Sequence, residues 1–139
     1  MSYLLDTNVV SEPRSKRPNA GVLTWLERQE PGTLFLSVLS LGEIEQGIAH
    51  LGSDPRVPRY RAWLEDTLKP QFAGFVLDIT PEVADTWGRM TGSALRVGRP
   101  LPVLDSYLAA TAVAHNLTLV TRNSKDFEGL ALKTFNPWI

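Results

Sequence analysis

Short apolar runs alternate with longer amphipathic stretches along the chain. Tyr3-Leu4-Leu5, Leu34 to Ser37, Phe75 to Ile79, Leu117 to Thr121 and Leu132 to Phe135 are brief, apolar and rich in β-branched or aromatic residues, and they read as strands. Between them the apolar positions recur at helical spacing. Val22, Leu23, Trp25 and Leu26 follow a capping Asn19, and Leu41, Ile44, Ile48 and Leu51 follow a start at Ser40 and stop at Gly52. Tyr60, Trp63, Leu64 and Leu68 predict a helix over 59–69 that ends at Pro70. Thr80-Pro81-Glu82 opens another, with Val83, Trp87, Met90 and Ala94 on one side, and an Ala-rich helix over 104–115 ends at Asn116. Glu12 to Pro18, Ser53 to Pro58 and Gly98 to Pro102 read as Pro-punctuated loops. Strands alternating with helices predict right-handed crossovers and a mainly parallel sheet covered on both faces, in one domain over 1–139.

The polar residues gather where the strands end. Tyr3-Leu4-Leu5 stops abruptly on Asp6, Thr7 and Asn8. A buried strand has no use for a terminal carboxylate unless something pairs with it, because an unpaired buried charge costs several kcal/mol or more, about the scale of a domain's stability. Glu43 is in the first turn of the helix after the second run, Asp105 is in the first turn of the Ala-rich helix, and Thr121 to Asp126 follows the strand after that helix. Strand carboxyl ends and the helix starts they feed share one edge of such a sheet, which is where ligands bind. Each residue also has an ordinary role. Asp6 and Asn8 would form a turn or a cap, Ser40-x-x-Glu43 is a capping box, Asp105 suits a helix N-terminus, and Asp126 a turn. His115 reads as a surface residue at a helix end, and Trp25, Trp63 and Trp87 as core. Jointly the acids favour chemistry. Like charges at ~4–5 Å cost roughly a few kcal/mol per pair in an effective dielectric near 20, and an oxygen-only cluster able to bear that suits Mg²⁺ or Mn²⁺. Such a site binds phosphate oxygens and activates water.

Composition narrows the alternatives. With 139 residues, 43% hydrophobic and 21% charged, the chain can bury a core without staples. It has no cysteine, which removes disulfides, thiolate nucleophiles and thiolate zinc sites, and only two histidines. No apolar run approaches the length of a membrane span, and the chain starts directly on a strand, so the expectation is a cytoplasmic protein without a leader or membrane association. The net charge of −1 argues against nucleic-acid binding by bulk charge. Setting Asp6, Glu43, Asp105 and Asp126 aside leaves 11 acids against 14 Lys and Arg, a local excess of +3. The basic groups at Arg14 to Arg17, Arg56 to Arg61 and Arg89 to Arg99 read as solvated surface, or as a modest phosphate-binding rim.

Leu4 through Glu12, Ser37 through Glu43, Leu104-Asp105 with its Ala-rich helix, and Leu119-Val120-Thr121-Arg122-Asn123 with Asp126-Phe127 together resemble the PIN-domain nucleases. Within them the chain is similar to VapC toxins of bacterial toxin–antitoxin pairs, in particular the FitB-like branch, whose ending Phe135-Asn136-Pro137-Trp138 also resembles. The likeness runs end to end. It implies a three-layer α/β/α sandwich, a Mg²⁺- or Mn²⁺-dependent endoribonuclease acting on RNA, and a homodimer neutralised by a DNA-binding antitoxin. By position it makes Asp6 and Asp105 the principal metal ligands and Glu43 the third acid, with Thr7, Asn8, Ser37 and Thr121 supporting through hydrogen bonds. One departure stands out. Where the family often has Asp in Thr-Arg-Asp this chain has Asn123, which puts a protein-held second metal in doubt unless Asp126 compensates. The expected reaction is hydrolysis of an RNA phosphodiester, with Glu43 orienting or deprotonating the attacking water. Two alternatives remain: an aspartate-nucleophile phosphatase, which would want an acid where Asn8 stands, and a catalytically weak PIN module acting through a protein partner.

Overall fold

In a computed structural model describing all residues, Met1–Ile139, five short strands form one sheet in the order β3-β2-β1-β4-β5, and every pairing is parallel. The strands are β1 (Tyr3–Leu5), β2 (Leu34–Ser37), β3 (Val76–Leu77), β4 (Thr118–Val120) and β5 (Thr134–Phe135). The helices are α1 (Thr7–Ser11), α2 (Ala20–Glu27), α3 (Val38–His50), α4 (Val57–Ala62), α5 (Lys69–Gln71), α6 (Pro81–Arg96) and α7 (Val103–Ala114).

The period of two along each strand divides the core into two layers. Leu5, Leu36 and Val120 point to one face, where they pack with Val9 and Val10 of α1, Val22 of α2, Ile44 and Ile48 of α3, and Leu64, Leu68 and Phe72 beyond α4. Leu4 and Leu119 point to the other, against Leu108, Ala109 and Ala112 of α7, Leu117 and Phe127, with Met90 of α6 partly buried beside them. The small side chains of α7 let that helix lie close to the sheet. The result is the expected three-layer α/β/α sandwich.

Three local expectations need correction. The expected loop over Glu12 to Pro18 is regular in its first part, because a helix over Thr7–Ser11 runs into a 3-10 turn over Glu12–Arg14. Val9 and Val10 are buried, and an apolar pair beside polar neighbours signalled a helical face that the Pro-rich sequence obscured. Pro70 does not end the third amphipathic segment. A π turn over Trp63–Leu68 joins α4 to α5, and Pro70 occupies the start of α5, where a missing N–H costs little. The chain turns at Gly74 instead, whose φ of +85° is left-handed. Finally α3 begins at Val38, not Ser40: Ser37 is its cap, accepting from the Leu39 N–H at 3.1 Å. The predicted caps Asn19 and Thr80 are in place on α2 and α6.

Candidate active site

The sheet register assembles the site. Leu5 pairs with Leu36 on one side and Val120 on the other, so Asp6, Ser37 and Thr121 fall in line at the next step. The Asp6 N–H continues the ladder onto the Val120 carbonyl at 2.9 Å. The residue is 9% exposed and both carboxylate oxygens are engaged: Oδ1 accepts from the Thr7 N–H at 2.7 Å, and Oδ2 from the Thr121 hydroxyl at 2.8 Å. Thr121 Oγ1 in turn accepts from the Asn123 N–H at 3.1 Å, which ties the loop after β4 to the same carboxylate.

Glu43 lies in the second turn of α3, and its Oε1 accepts from the Thr7 hydroxyl at 2.9 Å. The capping box is therefore not formed: Ser40 is buried inside the helix, and Glu43 reaches toward α1 rather than back to the backbone. Ser37 caps the helix that carries Glu43. Asn8 Oδ1 is buried without a hydrogen-bond partner, an uncommitted acceptor two residues from Asp6. Asp105 is half-buried in the first turn of α7, while Asn123 and Asp126 are exposed around the 3-10 turn Ser124–Phe127.

The charges oppose one another. Burial pushes the Asp6 carboxyl above its ordinary value of 3.8, against the hydrogen bonds from Thr121 and Thr7, and the Asp126 charge adds to the rise. Burial also raises Asp105, followed by repulsion from Asp6, Asp126 and Glu43. Four acids drawn from distant parts of the sequence thus share one field. No three Asp, Glu or His side chains close to within direct reach of a single ion. These findings are compatible, because a field extends further than a ~2.0–2.1 Å coordination bond. Mg²⁺ keeps several waters and needs only one or two direct carboxylates. Oxygen-only donors, desolvated carboxyls and the free Asn8 oxygen fit such a cation.

Larger cavities lie elsewhere and hold no acid. One of about 800 Å³ lies at the opposite edge beside Ser2, Asn116 and Lys133, and one of about 460 Å³ lies between Arg89 and Leu130. A cavity of about 330 Å³ does touch the site, lined by Thr7 and Glu43 together with Arg14, Arg56 and Tyr60.

The PIN domain family matches residues 3–132. The chain belongs to that family. This PIN domain is 35% identical to the toxin FitB of Neisseria gonorrhoeae, with 97% of each chain covered. It is 34% identical to the VapC ribonuclease Y4jK of Sinorhizobium fredii, covering 97% of this chain and 96% of the relative. Among solved structures it is similar to FitAB bound to an IR36 DNA fragment, with a TM-score of 0.91, 33% identity, and coverage of 99% and 96%.

The PIN domain's basic-aromatic cavity wall was not legible from sequence as part of the site. Arg14 and Tyr60 are far apart in the chain, and the helical spacing of Tyr60 and Trp63 is equally that of core residues. Asp105 yields a direct test of the electrostatics. An acid whose folded pKa is raised destabilises the fold where it is charged, so the penalty grows as pH rises through 3.8 toward the raised value and persists above it. In chelator, Asp105→Asn should raise the melting temperature of the PIN domain by a few degrees at pH 7, and the gain should shrink as pH falls toward 3.8. Thermal scans across that range check it, and a lower melting temperature at pH 7 would contradict the repulsion.

Proposed function

We propose that the protein is the toxin of a type II toxin–antitoxin pair, an endoribonuclease that hydrolyses RNA phosphodiester bonds with Mg²⁺, for which Mn²⁺ substitutes. The observation that carries this reading is the gathering of Asp6, Glu43 and Asp105 in one repulsive field at the carboxyl edge of a PIN-domain sheet. Relatives named as a VapC ribonuclease and the toxin FitB support it.

The residues take distinct roles. Asp6 and Asp105 would hold the divalent ion, which supplies charge neutralisation for the phosphate and a more acidic water. Thr121 and the Thr7 N–H fix the Asp6 carboxylate in one orientation before substrate arrives, so no reorganisation is needed during reaction. Thr7 holds Glu43 by Oε1, leaving Oε2 to orient the attacking water and accept its proton. Asn8 Oδ1 is free to accept from a bound water. Asn123 brings no charge, so the free site would hold one ion, with Asp126 as a more distant source of negative potential.

The whole chain, 1–139, would act as a single PIN domain, in the cytoplasm and as a homodimer. No helix is long and apolar enough to cross a membrane. Likeness to a FitAB assembly on DNA supports neutralisation by a DNA-binding antitoxin. One observation favours a second reading, a catalytically weak module that works by holding its partner: the position of the fourth acid is the exposed, neutral Asn123.

Labelled RNA incubated with purified protein separates the two. Internal cleavage in Mg²⁺ or Mn²⁺, abolished by chelator and restored by added metal, is the expected result. Intact RNA in both metals, with the partner still bound, would leave only the module.

A further inference from the structure

The cavity that begins at Thr7 and Glu43 ends on a cation. Arg14 closes the 3-10 turn after α1, and its guanidinium carbon lies 4.5 Å from the Tyr60 ring centroid and 4.7 Å from that of Trp63. Two aromatic side chains from α4 and the following π turn therefore hold an exposed Arg in place. The protein's three ion pairs join Arg56 to Asp54, Arg61 to Glu45 and Lys69 to Glu65, so Arg14 faces no carboxylate partner. Arg56, on the same wall, differs. Its Nε and Nη2 each donate to Asp54 at 3.0 Å, and these contacts hold the Asp54 carboxyl at about 2.

Aromatic contact uses the charge and the faces of a guanidinium but leaves its N–H edge for oxygen acceptors. Holding the side chain also removes part of the ordering cost of binding, and the planar fork matches a phosphate's two oxygens. RNA is the occupant that suits both ends of the cavity. A strand that lays one phosphate over the acids, where a divalent ion screens them, carries the next phosphate along the cavity. A protein segment bringing its own cation to Glu43 would set that charge near the unpaired Arg14.

We propose that Arg14, clamped by Tyr60 and Trp63, is a positioning residue that binds the RNA phosphate flanking the scissile one on the Glu43 side of the site. This rests on the ribonuclease reading above.

The test measures binding apart from cleavage. Asp105→Asn protein, disabled for cleavage, is titrated with labelled single-stranded RNA by fluorescence anisotropy at several salt concentrations, with and without Arg14→Ala. The expected results are an affinity about tenfold weaker, the same loss across RNA sequences, and a log–log salt slope shallower by about 0.7, one single-strand phosphate contact. In the otherwise native chain Arg14→Ala should raise KM while kcat changes little. Arg14→Lys should recover the slope but only part of the affinity, since it keeps the charge and loses the fork. Unchanged slope, affinity and KM in a preparation whose wild type cleaves RNA would overturn the role of Arg14 alone. Unchanged RNA binding with lost inhibition by a protein partner would make the cluster a protein dock and also overturn it. A wild type that neither binds nor cleaves RNA would remove the ribonuclease reading, and this proposal with it.

Discussion

Asp6→Asn and Asp105→Asn should each lower RNA cleavage by about a hundredfold or more, the scale on which losing one charge-stabilising group acts. The two arrive at that loss differently. Asp6 is nearly out of water with both oxygens already accepting, so an amide there keeps one acceptor and turns an N–H₂ toward Thr7 or Thr121. Part of its defect should be misorientation of the β1 end. Asp105 owes its raised pKa to burial and to Asp6, Asp126 and Glu43, so its replacement removes charge without breaking that network. Single-turnover cleavage at saturating RNA and Mg²⁺ measures both, with far-UV circular dichroism confirming the fold. More Mn²⁺ should restore part of the activity where metal affinity is what was lost. Wild-type rates in either folded variant would refute the assignment of these carboxylates.

Leu5→Ala should cost about 2–5 kcal/mol of stability, a large share of the roughly 5–15 kcal/mol by which a domain is ordinarily stable. Leu5 has no exposed surface and sits in the middle strand among Val9, Val10, Leu36 and Val120. Its neighbours belong to the two flanking strands and a helix and cannot close the space without shifting the sheet, so a cavity should persist. Urea unfolding is the measurement. The midpoint should fall with the slope unchanged, because the surface exposed on unfolding hardly changes. The next residue along the chain is Asp6, so activity should fall more steeply with temperature than in the wild type. A loss under about 1 kcal/mol would mean that α1 collapses onto the sheet and fills the space.

The α/β class and most element positions were legible in local pattern. Runs such as Leu117 to Thr121 are too short and too apolar for anything but buried strands, and Asn19 and Thr80 announce helices through capping chemistry that needs only neighbouring residues. Asp6, Glu43 and Asp105 could be named because the carboxyl edge of a parallel sheet is a consequence of topology. Where local rules competed, the tertiary structure chose. Ser40-x-x-Glu43 satisfies a capping box on paper, yet the β2 register brings Ser37 to the helix start first and leaves Glu43 one turn further in, free to meet Thr7. Pro70 is a helix breaker by local chemistry, but the π turn before it realigns the backbone bonding so that its missing N–H falls at the start of α5.

The sequence by itself determined the alternation of buried strands with amphipathic helices, and the presence of acids after the strands. These depend on side-chain type at short spacing, which the hydrophobic effect and hydrogen-bond geometry act on directly. Only the tertiary structure decided which partners each acid has. Thr121 locks Asp6, Thr7 locks Glu43, Asp105 stands without such a lock, and Arg14 rests against Tyr60 and Trp63 on the wall of the same cavity. Those pairings join residues far apart in the chain. They exist because the parallel register and the packing of α1 against α3 fix distances that no local pattern encodes.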